Sequence, residues 1–151
     1  MRSRRRPEKL AYFVDRCLGG KTVPEILRAA GKKVEPHDKH FPETALDEDW
    51  LPIVGRKKWV VLTEDSRIRY VHGQAIERAK IRVFILMSKK LNGQQMAAAF
   101  LKAINRIEKM ARKNQGPFIA KVYKDGRVVM SEVPYAKEQK TTLFLICWLK
   151  S

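Results

Sequence analysis

The chain has 151 residues, 44% hydrophobic and 32% charged, and its 32 Lys and Arg against 16 Asp and Glu give a formal net charge of +16. This length suits one domain with a hydrophobic core, and the apolar share argues against a wholly disordered chain. No run approaches the roughly 18 apolar residues that a transmembrane helix needs. The positive charge favours a polyanionic partner, most often a nucleic acid, with a solubilising surface or an acidic protein partner as the alternative.

The first half of the chain predicts strands alternating with helices. Residues 10–14 form a continuous apolar run with aromatic and β-branched members, which is typical of a buried strand. Thr22 is expected to cap the first helix, and Trp50, Leu51 and Val54 are the expected buried side of the second. The predicted elements are, in order, a strand at 10–14, a helix at 22–31, a weak strand at 33–37, a loop at 38–46 and a helix at 47–55.

The second half continues this alternation and ends in a hairpin. A long helix is predicted where apolar residues recur at helical spacing, at Met96, Phe100, Ile104, Ile107 and Ala111. Asp125-Gly126 is a typical hairpin turn. The predicted elements are, in order, a strand at 59–63, a helix at 68–79, a strand at 81–86, a helix at 93–113, a hairpin from 118–123 and 128–133, and an apolar segment at 141–149.

Strands alternating with helices predict a single-domain α/β fold with a mostly parallel sheet flanked by helices. The predicted organisation is a basic N-terminal tail at 1–9, the α/β domain at 10–133 and a C-terminal apolar segment at 134–151 that docks on the domain. Two cysteines, Cys17 and Cys147, are too few for a disulfide framework. Together with the lack of a secretory signal, this predicts a soluble, cytoplasmic protein with reduced thiols.

Acidic residues follow the predicted strands although the chain is basic. Residues 35–49 carry a net charge of −5, while residues 66–151 carry +13. Asp15 ends the first strand, Asp38 follows the second, Asp65 follows the third, and Asp47 opens the helix before it. Because ligand sites in parallel sheets lie beyond the carboxyl ends of the strands, these four carboxylates are expected to meet at one rim.

Such a gathering of carboxylates favours a divalent cation. Two carboxylates about 4 Å apart repel by about 4 kcal/mol at an effective dielectric constant near 20. Carboxylate oxygens suit Mg²⁺ or Mn²⁺, which activate water and neutralise charge that develops on a phosphate. An acidic pocket within a basic surface therefore fits a nuclease. For each aspartate taken alone, helix capping or turn formation is the alternative.

Two basic groups are candidates for phosphate binding. Arg67 and Arg69 follow Asp65 directly, and arginine can bind phosphate through two parallel hydrogen bonds. The long helix carries a basic ridge, spaced for one helix face, that consists of Lys102, Arg106, Lys109 and Lys113. An ordinary solvated helix face is the alternative for this ridge.

The segments Phe13-Val14-Asp15-Arg16, Asp47-Glu48-Asp49 and Thr63-Glu64-Asp65 resemble PIN-like domains related to virulence-associated toxin C. The resemblance covers about residues 10–90 and implies a ribonuclease that uses Mg²⁺ or Mn²⁺, often a toxin neutralised by an antitoxin protein. It implies catalytic and metal-binding roles for Asp15, Asp47 and Asp65. Thr63 would be a supporting hydroxyl, and Asp38 and Asp49 would be further supporting residues.

The chain departs from this pattern after its fourth predicted strand, where many PIN domains have an acid and residues 87–90 have none. The leading hypothesis is a metal-dependent endoribonuclease that acts as the toxin of a toxin–antitoxin pair. A non-catalytic RNA-binding or antitoxin-binding module on the same fold, and a DNA-processing nuclease, are the alternatives. A homodimer stays open.

Overall fold

The computed structural model of the protein describes residues 9–131. The strands are β1 Ala11–Val14, β2 Lys33–Pro36, β3 Val60–Thr63, β4 Arg82–Leu86, β5 Phe118–Val122 and β6 Val128–Ser131. The helices are α1 Thr22–Ala29, α2 His37–His40, α3 Asp47–Arg56, α4 Ile68–Val71, α5 Gly73–Ala79 and α6 Gly93–Lys113, with a short 3₁₀ helix at Arg16–Leu18. The basic tail lies outside the described residues except for Lys9, and the segment 134–151 lies wholly outside them.

The described strands form one sheet in the order β2-β1-β3-β4-β5-β6. Strands β1 to β5 run parallel, and β6 pairs antiparallel with β5 as the second strand of a hairpin. The predicted α/β fold with a mostly parallel sheet and a C-terminal hairpin is therefore confirmed. After β2 the chain passes β1 and forms β3 on the other side of it. The strand order therefore changes direction at β1, which lies between β2 and β3.

Helices cover both faces of the sheet, because successive strand residues point to opposite sides. Tyr12 and Val14 face one hydrophobic cluster, which contains residues of α1 and α6. Phe13 faces the other cluster, which contains residues of α3, α4 and α5. All four residues of β1 are buried, as expected for a strand covered by helices on both faces.

Helix α6 has the bounds that its apolar spacing predicts. Its five predicted core residues are all buried: Met96, Phe100, Ile104, Ile107 and Ala111. Asn92 caps the helix by accepting a hydrogen bond from the Gln95 backbone N–H, and the Gln95 side chain accepts one from the Asn92 N–H. This reciprocal capping fixes the start of α6. Within the described part of the chain, no helix is long and apolar enough to cross a bilayer.

Four local predictions are wrong. The residue at the cap position of α1 is Lys21, without a side-chain cap bond, and Thr22 is already helical. The predicted loop at 38–46 contains part of α2, and Gly55 lies inside α3 instead of ending it. The helix predicted at 68–79 is divided at His72 into α4 and α5, because glycine lowers helix stability where α5 begins.

Helices α3 and α5 approach closely at Gly55, where a Cβ would lie 2.6 Å from the carbonyl oxygen of Ala79. Since a backbone atom cannot move aside easily, we expect Gly55→Ala to lower the free energy of unfolding by about 1–3 kcal/mol. Urea denaturation measures this loss. Gly20→Ala is the matched control, since its nearest neighbour lies 3.9 Å away, and its expected effect stays within about 0.5 kcal/mol. Equal midpoints for the two variants would contradict the close contact.

Candidate active site

The candidate site lies at the carboxyl ends of β1 and β3, where the sheet order changes direction. Chain segments that leave two such strands diverge and open a crevice between them. The backbone N–H of Asp15 bonds the carbonyl oxygen of Leu62 at 3.0 Å, so the residue after β1 is held against β3. Asp15 and Thr63 therefore flank this crevice.

Asp15 is a buried carboxylate, with only 8% of the residue exposed. Its side chain accepts hydrogen bonds from the Thr63 hydroxyl at 2.9 Å, from the Arg16 backbone N–H at 2.7 Å and from the Cys17 thiol at 3.5 Å. Burial raises the pKa of Asp15, and the negative charge of Asp47 raises it further, although the bond from Thr63 opposes this. The carboxylate is therefore costly to ionise unless a cation joins it.

Thr63 connects the two strand ends. Its side chain is fully buried, and its hydroxyl oxygen accepts a hydrogen bond from the Asp65 backbone N–H at 3.1 Å while it donates to Asp15. The Cys17 Sγ lies 3.1 Å from the same hydroxyl. Although Cys17 is exposed as a residue, burial of its thiol and the charge of Asp15 raise its pKa to about 12. The thiol is therefore a neutral hydrogen-bonding partner here.

Asp47 is the first residue of α3. Its Oδ1 accepts a hydrogen bond from Trp50 Nε1 at 3.0 Å, and its Oδ2 lies 3.2 Å from His72 Nε2. The Trp50 ring is buried in the core, so this bond fixes the orientation of the carboxylate. The negative charge of Asp47 is also one of the causes that raise the pKa of Asp15.

Asp65 is joined to Thr63 through its backbone N–H, which donates to the Thr63 hydroxyl oxygen. Its carboxylate accepts hydrogen bonds from the backbone N–H of Arg67 at 3.0 Å and from Arg67 Nε at 3.1 Å. The guanidinium of Arg69 lies over the Tyr70 ring at 4.6 Å, and its Nε is buried without a hydrogen-bond partner. Thus Thr63 links Asp65 to Asp15, while the Asp65 side chain is engaged with Arg67.

The remaining predicted site residues differ in their exposure and in their hydrogen-bond partners. Asp49 accepts a hydrogen bond from the Leu46 backbone N–H at 3.0 Å and caps α3, as the capping alternative predicts. Asp38 is an exposed residue of α2. Arg106 donates to the carbonyl oxygen of Gly126 at 3.0 Å. All four basic residues of the α6 ridge are exposed: Lys102, Arg106, Lys109 and Lys113.

His37 is not among the residues that the sequence predicts for the site, and it is buried, with only 3% of the residue exposed. Its ring packs against Phe13 and Phe41, with centroids 6.0 Å and 5.6 Å away, and its Nδ1 is buried without a hydrogen-bond partner. Burial lowers the pKa of His37, and the negative charge of Asp15 opposes this. His37 follows β2 directly, so the strand-end rule that selected Asp38 also applies to it.

The donor chemistry at this site fits a hard divalent cation. Asp15 and Asp47 supply carboxylate oxygens, which Mg²⁺ and Mn²⁺ prefer. The effect of the Asp47 charge on the buried Asp15 carboxylate is the kind of repulsion that a cation relieves. Among residues 9–131, however, no group of three or more His, Cys, Asp or Glu side chains is arranged to hold a metal ion.

Comparison with known proteins assigns the family. The PIN-like domain family matches residues 10–88, which is more than half of the chain. The chain belongs to the PIN-like domain family. This membership confirms the resemblance seen in the sequence, and the matched segment contains Asp15, Asp47, Thr63 and Asp65.

A curated relative extends the match beyond the PIN-like segment. The protein named "Putative ribonuclease VapC45" of Mycobacterium tuberculosis (strain ATCC 25618 / H37Rv) is 31% identical to this chain over 120 residues. The alignment covers 74% of this chain and 84% of the relative. No solved structure matches the chain significantly.

Proposed function

We propose that the protein is an endoribonuclease that depends on a divalent cation and acts at the carboxyl ends of β1 and β3. The observation that carries this proposal is the buried Asp15 carboxylate, whose pKa is raised by burial and by the neighbouring charge of Asp47. A carboxylate pair of this kind at a sheet switch point is a typical place for a hard cation. Membership of the PIN-like family and similarity to a relative named as a ribonuclease support the same reaction class.

In this proposal Asp15, Asp47 and Asp65 would hold Mg²⁺ or Mn²⁺. When bound, the ion would activate a water and neutralise charge that develops on the scissile phosphate. Thr63 is a positioning residue, because its hydroxyl holds both the Asp15 carboxylate and the backbone of Asp65. Trp50 and His72 fix the Asp47 carboxylate in the same way.

RNA is the proposed substrate, and basic side chains near the site are proposed to bind its phosphates. Arg67 is exposed and next to Asp65, so it can meet a phosphate that approaches the carboxylates. Arg69 is proposed to add a further cationic contact there, and the basic ridge of α6, whose C-terminal end lies at the amino ends of the strands, is proposed to bind RNA away from the carboxylates. The resemblance to toxin C relatives also leads us to propose a cytoplasmic toxin, neutralised by an antitoxin protein.

A second candidate is a non-catalytic RNA-binding or antitoxin-binding module. Two observations favour it: the described residues contain no group of three acid, His or Cys ligands, and residues 87–90 contain no acid. A binding module has no need for Asp15, Asp47 and Asp65 together. Removing one carboxylate therefore separates the two candidates.

Asp65→Asn tests the ribonuclease proposal directly. Asn keeps an oxygen that can accept from the Arg67 backbone N–H but loses the charge that would bind a cation. We expect cleavage of a mixed RNA pool in Mg²⁺ or Mn²⁺ to fall by about 100-fold or more, as for other losses of transition-state charge stabilisation. Binding of RNA should persist, since the Lys and Arg contacts remain.

Asp125→Asn is the control, because it makes the same chemical change at an exposed position in the β5–β6 hairpin. Its cleavage should equal that of the wild type. Metal-dependent cleavage that survives Asp65→Asn would remove Asp65 from the mechanism. Absence of cleavage by the wild type with either ion would instead favour the binding module.

A further inference from the structure

A basic cleft lies at the amino ends of the strands, and the carboxylates lie at the opposite, carboxyl ends. It has a volume of about 460 Å³. Its cationic lining residues come from before β1, from the starts of β2 and β4, from the loop before β3 and from the end of α6: Lys9, Lys33, Lys57, Lys58, Arg82 and Arg112. Because parallel strands begin at the same edge, the topology gathers these charges from distant parts of the sequence.

The described residues that line this cleft include no carboxylate. Two acids nearby are already paired. Glu108, one turn before Arg112, lies 2.8 Å from Lys32 and also accepts a hydrogen bond from Tyr12. Glu35 pairs with His40 at 2.6 Å. Glu108 also interacts with Arg112, so the charge left for a ligand to neutralise is that of the other cations of the cleft.

Arg82 lies at the floor of this cleft and is held in a fixed position, since only 8% of the residue is exposed. Its guanidinium donates to the carbonyl oxygens of Ala111 at 2.7 Å and of Lys58 at 2.8 Å. Both partners are neutral, so the bonds hold the guanidinium in place without cancelling its charge. A buried cation is costly, and its retention here favours a bound anion.

Two lysines at the cleft adopt a conformation that favours glycine. Lys58 has φ 56° and Lys80 has φ 54°, both in the left-handed region. This conformation costs a non-glycine residue about 1–2 kcal/mol. Lys80 lines a smaller hollow of about 270 Å³ that shares Lys58 and Arg82 with the cleft. Lys90 has φ 61° and lines neither hollow, so the support for a binding role comes from the position of Lys58 and Lys80 and not from their backbone conformation.

Trp59 indicates which kind of polyanion fits. Its half-buried ring lines the cleft and packs against the rings of His40 and Phe13, with centroids 5.0 Å and 6.2 Å away. Lys57 Nζ lies 5.2 Å from the ring centroid, so a stacking base would take the place of this ammonium. Cationic grooves that carry an aromatic ring are typical of sites for single-stranded nucleic acid, because bases stack on the ring while the backbone follows the charges. An acidic peptide could pair with the cationic side chains, but it has no base to stack on the Trp59 ring.

We propose that this cleft binds single-stranded RNA at a second place, remote from the carboxylate site. Four strand residues span about 13 Å, so one phosphate cannot touch both places. This second place would add to the proposed ribonuclease a contact that binds the RNA away from the reacting bond. Its expected effect on the kinetics rests on the proposed ribonuclease function.

The test removes three exposed charges of the cleft in the full chain, as Lys57→Gln, Lys58→Gln and Arg112→Gln together. The control triple removes the same charge elsewhere, as Lys21→Gln, Lys39→Gln and Lys124→Gln, all exposed. The probe is a fluorescein-labelled oligouridylate in EDTA, and fluorescence polarisation gives Kd over a series of KCl concentrations. We expect the cleft triple to raise Kd at least about tenfold at low salt and to reduce the salt slope by about 2.

The control triple should change Kd less than about threefold, since diffuse attraction depends only weakly on the place of each charge. Equal effects of the two triples, or an unchanged salt slope in the cleft triple, would overturn the proposal. Melting curves report folding. If the triple fails to fold, Lys57→Gln and Arg112→Gln are measured singly against Lys39→Gln and Lys124→Gln by the same criterion.

The kinetic part of the test separates this proposal from the ribonuclease proposal. Loss of a contact made equally in the ground and transition states raises KM and leaves kcat unchanged, so this pattern is expected for the cleft triple. A lower kcat at unchanged KM would contradict a remote binding role. Because the binding measurement needs no cleavage, an inactive wild type would contradict the ribonuclease proposal alone.

Discussion

Asp15→Asn is expected to abolish RNA cleavage while raising the melting temperature. Asn can still accept the hydrogen bond from the Arg16 backbone N–H, and its amide can donate to the Thr63 hydroxyl oxygen. The substitution removes a buried negative charge that repels Asp47. Cleavage should fall by about 1000-fold or more, because this carboxylate is the best-buried proposed ligand. The gain in stability should be a few degrees, at about 2–4 °C for each kcal/mol in a domain of this size.

The stabilisation should depend on pH with a definite sign. Since the pKa of Asp15 is raised in the folded protein, the folded state keeps its proton to a higher pH than the unfolded chain does. The wild type therefore loses stability as pH rises from about 3.9, the value for an unfolded aspartate, through the folded-state pKa. The advantage of Asp15→Asn should be present at pH 7 and disappear near pH 3.5, below both pKa values.

Melting curves at pH 3.5 and pH 7, with cleavage assays in Mg²⁺ and Mn²⁺, measure both effects. Asp125→Asn is again the control, since its hairpin carboxylate is exposed. That variant should leave cleavage unchanged. Full activity of Asp15→Asn would remove the carboxylate from the proposed site. A loss of stability that is the same at both pH values would show that its hydrogen bonds matter more than its charge.

The elements that sequence alone predicts best are those with strong local patterns. Helix α6 has a clear apolar stripe, and its bounds follow from that stripe together with the cap at Asn92. Strands β1, β3 and β4 are continuous buried runs. The strand order is not encoded in this way, because each of these three strands is buried on both faces and shows no preference for one neighbour.

Tertiary contacts explain what was missed at the candidate site. His72 appeared only as part of a helix, yet the break between α4 and α5 places it 3.2 Å from Asp47. Cys17 joins Asp15 and Thr63 because the 3₁₀ helix turns its thiol back toward β3. The basic cleft was missed for the same reason, since its cations are gathered by parallel strand starts and show no local spacing.

Thr63→Val should lower both stability and cleavage. Valine keeps the shape of threonine but cannot donate to the Asp15 carboxylate or accept from the Asp65 backbone N–H. Leaving buried polar groups without partners costs about 1–3 kcal/mol, so the melting temperature should fall by roughly 2–12 °C. Cleavage should fall by about tenfold or more, because Asp15 and Asp65 lose the hydroxyl that holds them together.

Thr63→Ser separates the hydroxyl from the methyl group. It keeps the bonds to Asp15 and Asp65 but leaves a methyl-sized space in the core, which costs about 1 kcal/mol. Its cleavage should stay close to that of the wild type. The bond from Thr63 also lowers the pKa of Asp15, so the acidic limb of the cleavage pH profile should move to higher pH in Thr63→Val alone. A valine variant that cleaves as fast as the serine variant, with an unmoved profile, would show that Thr63 serves only the core.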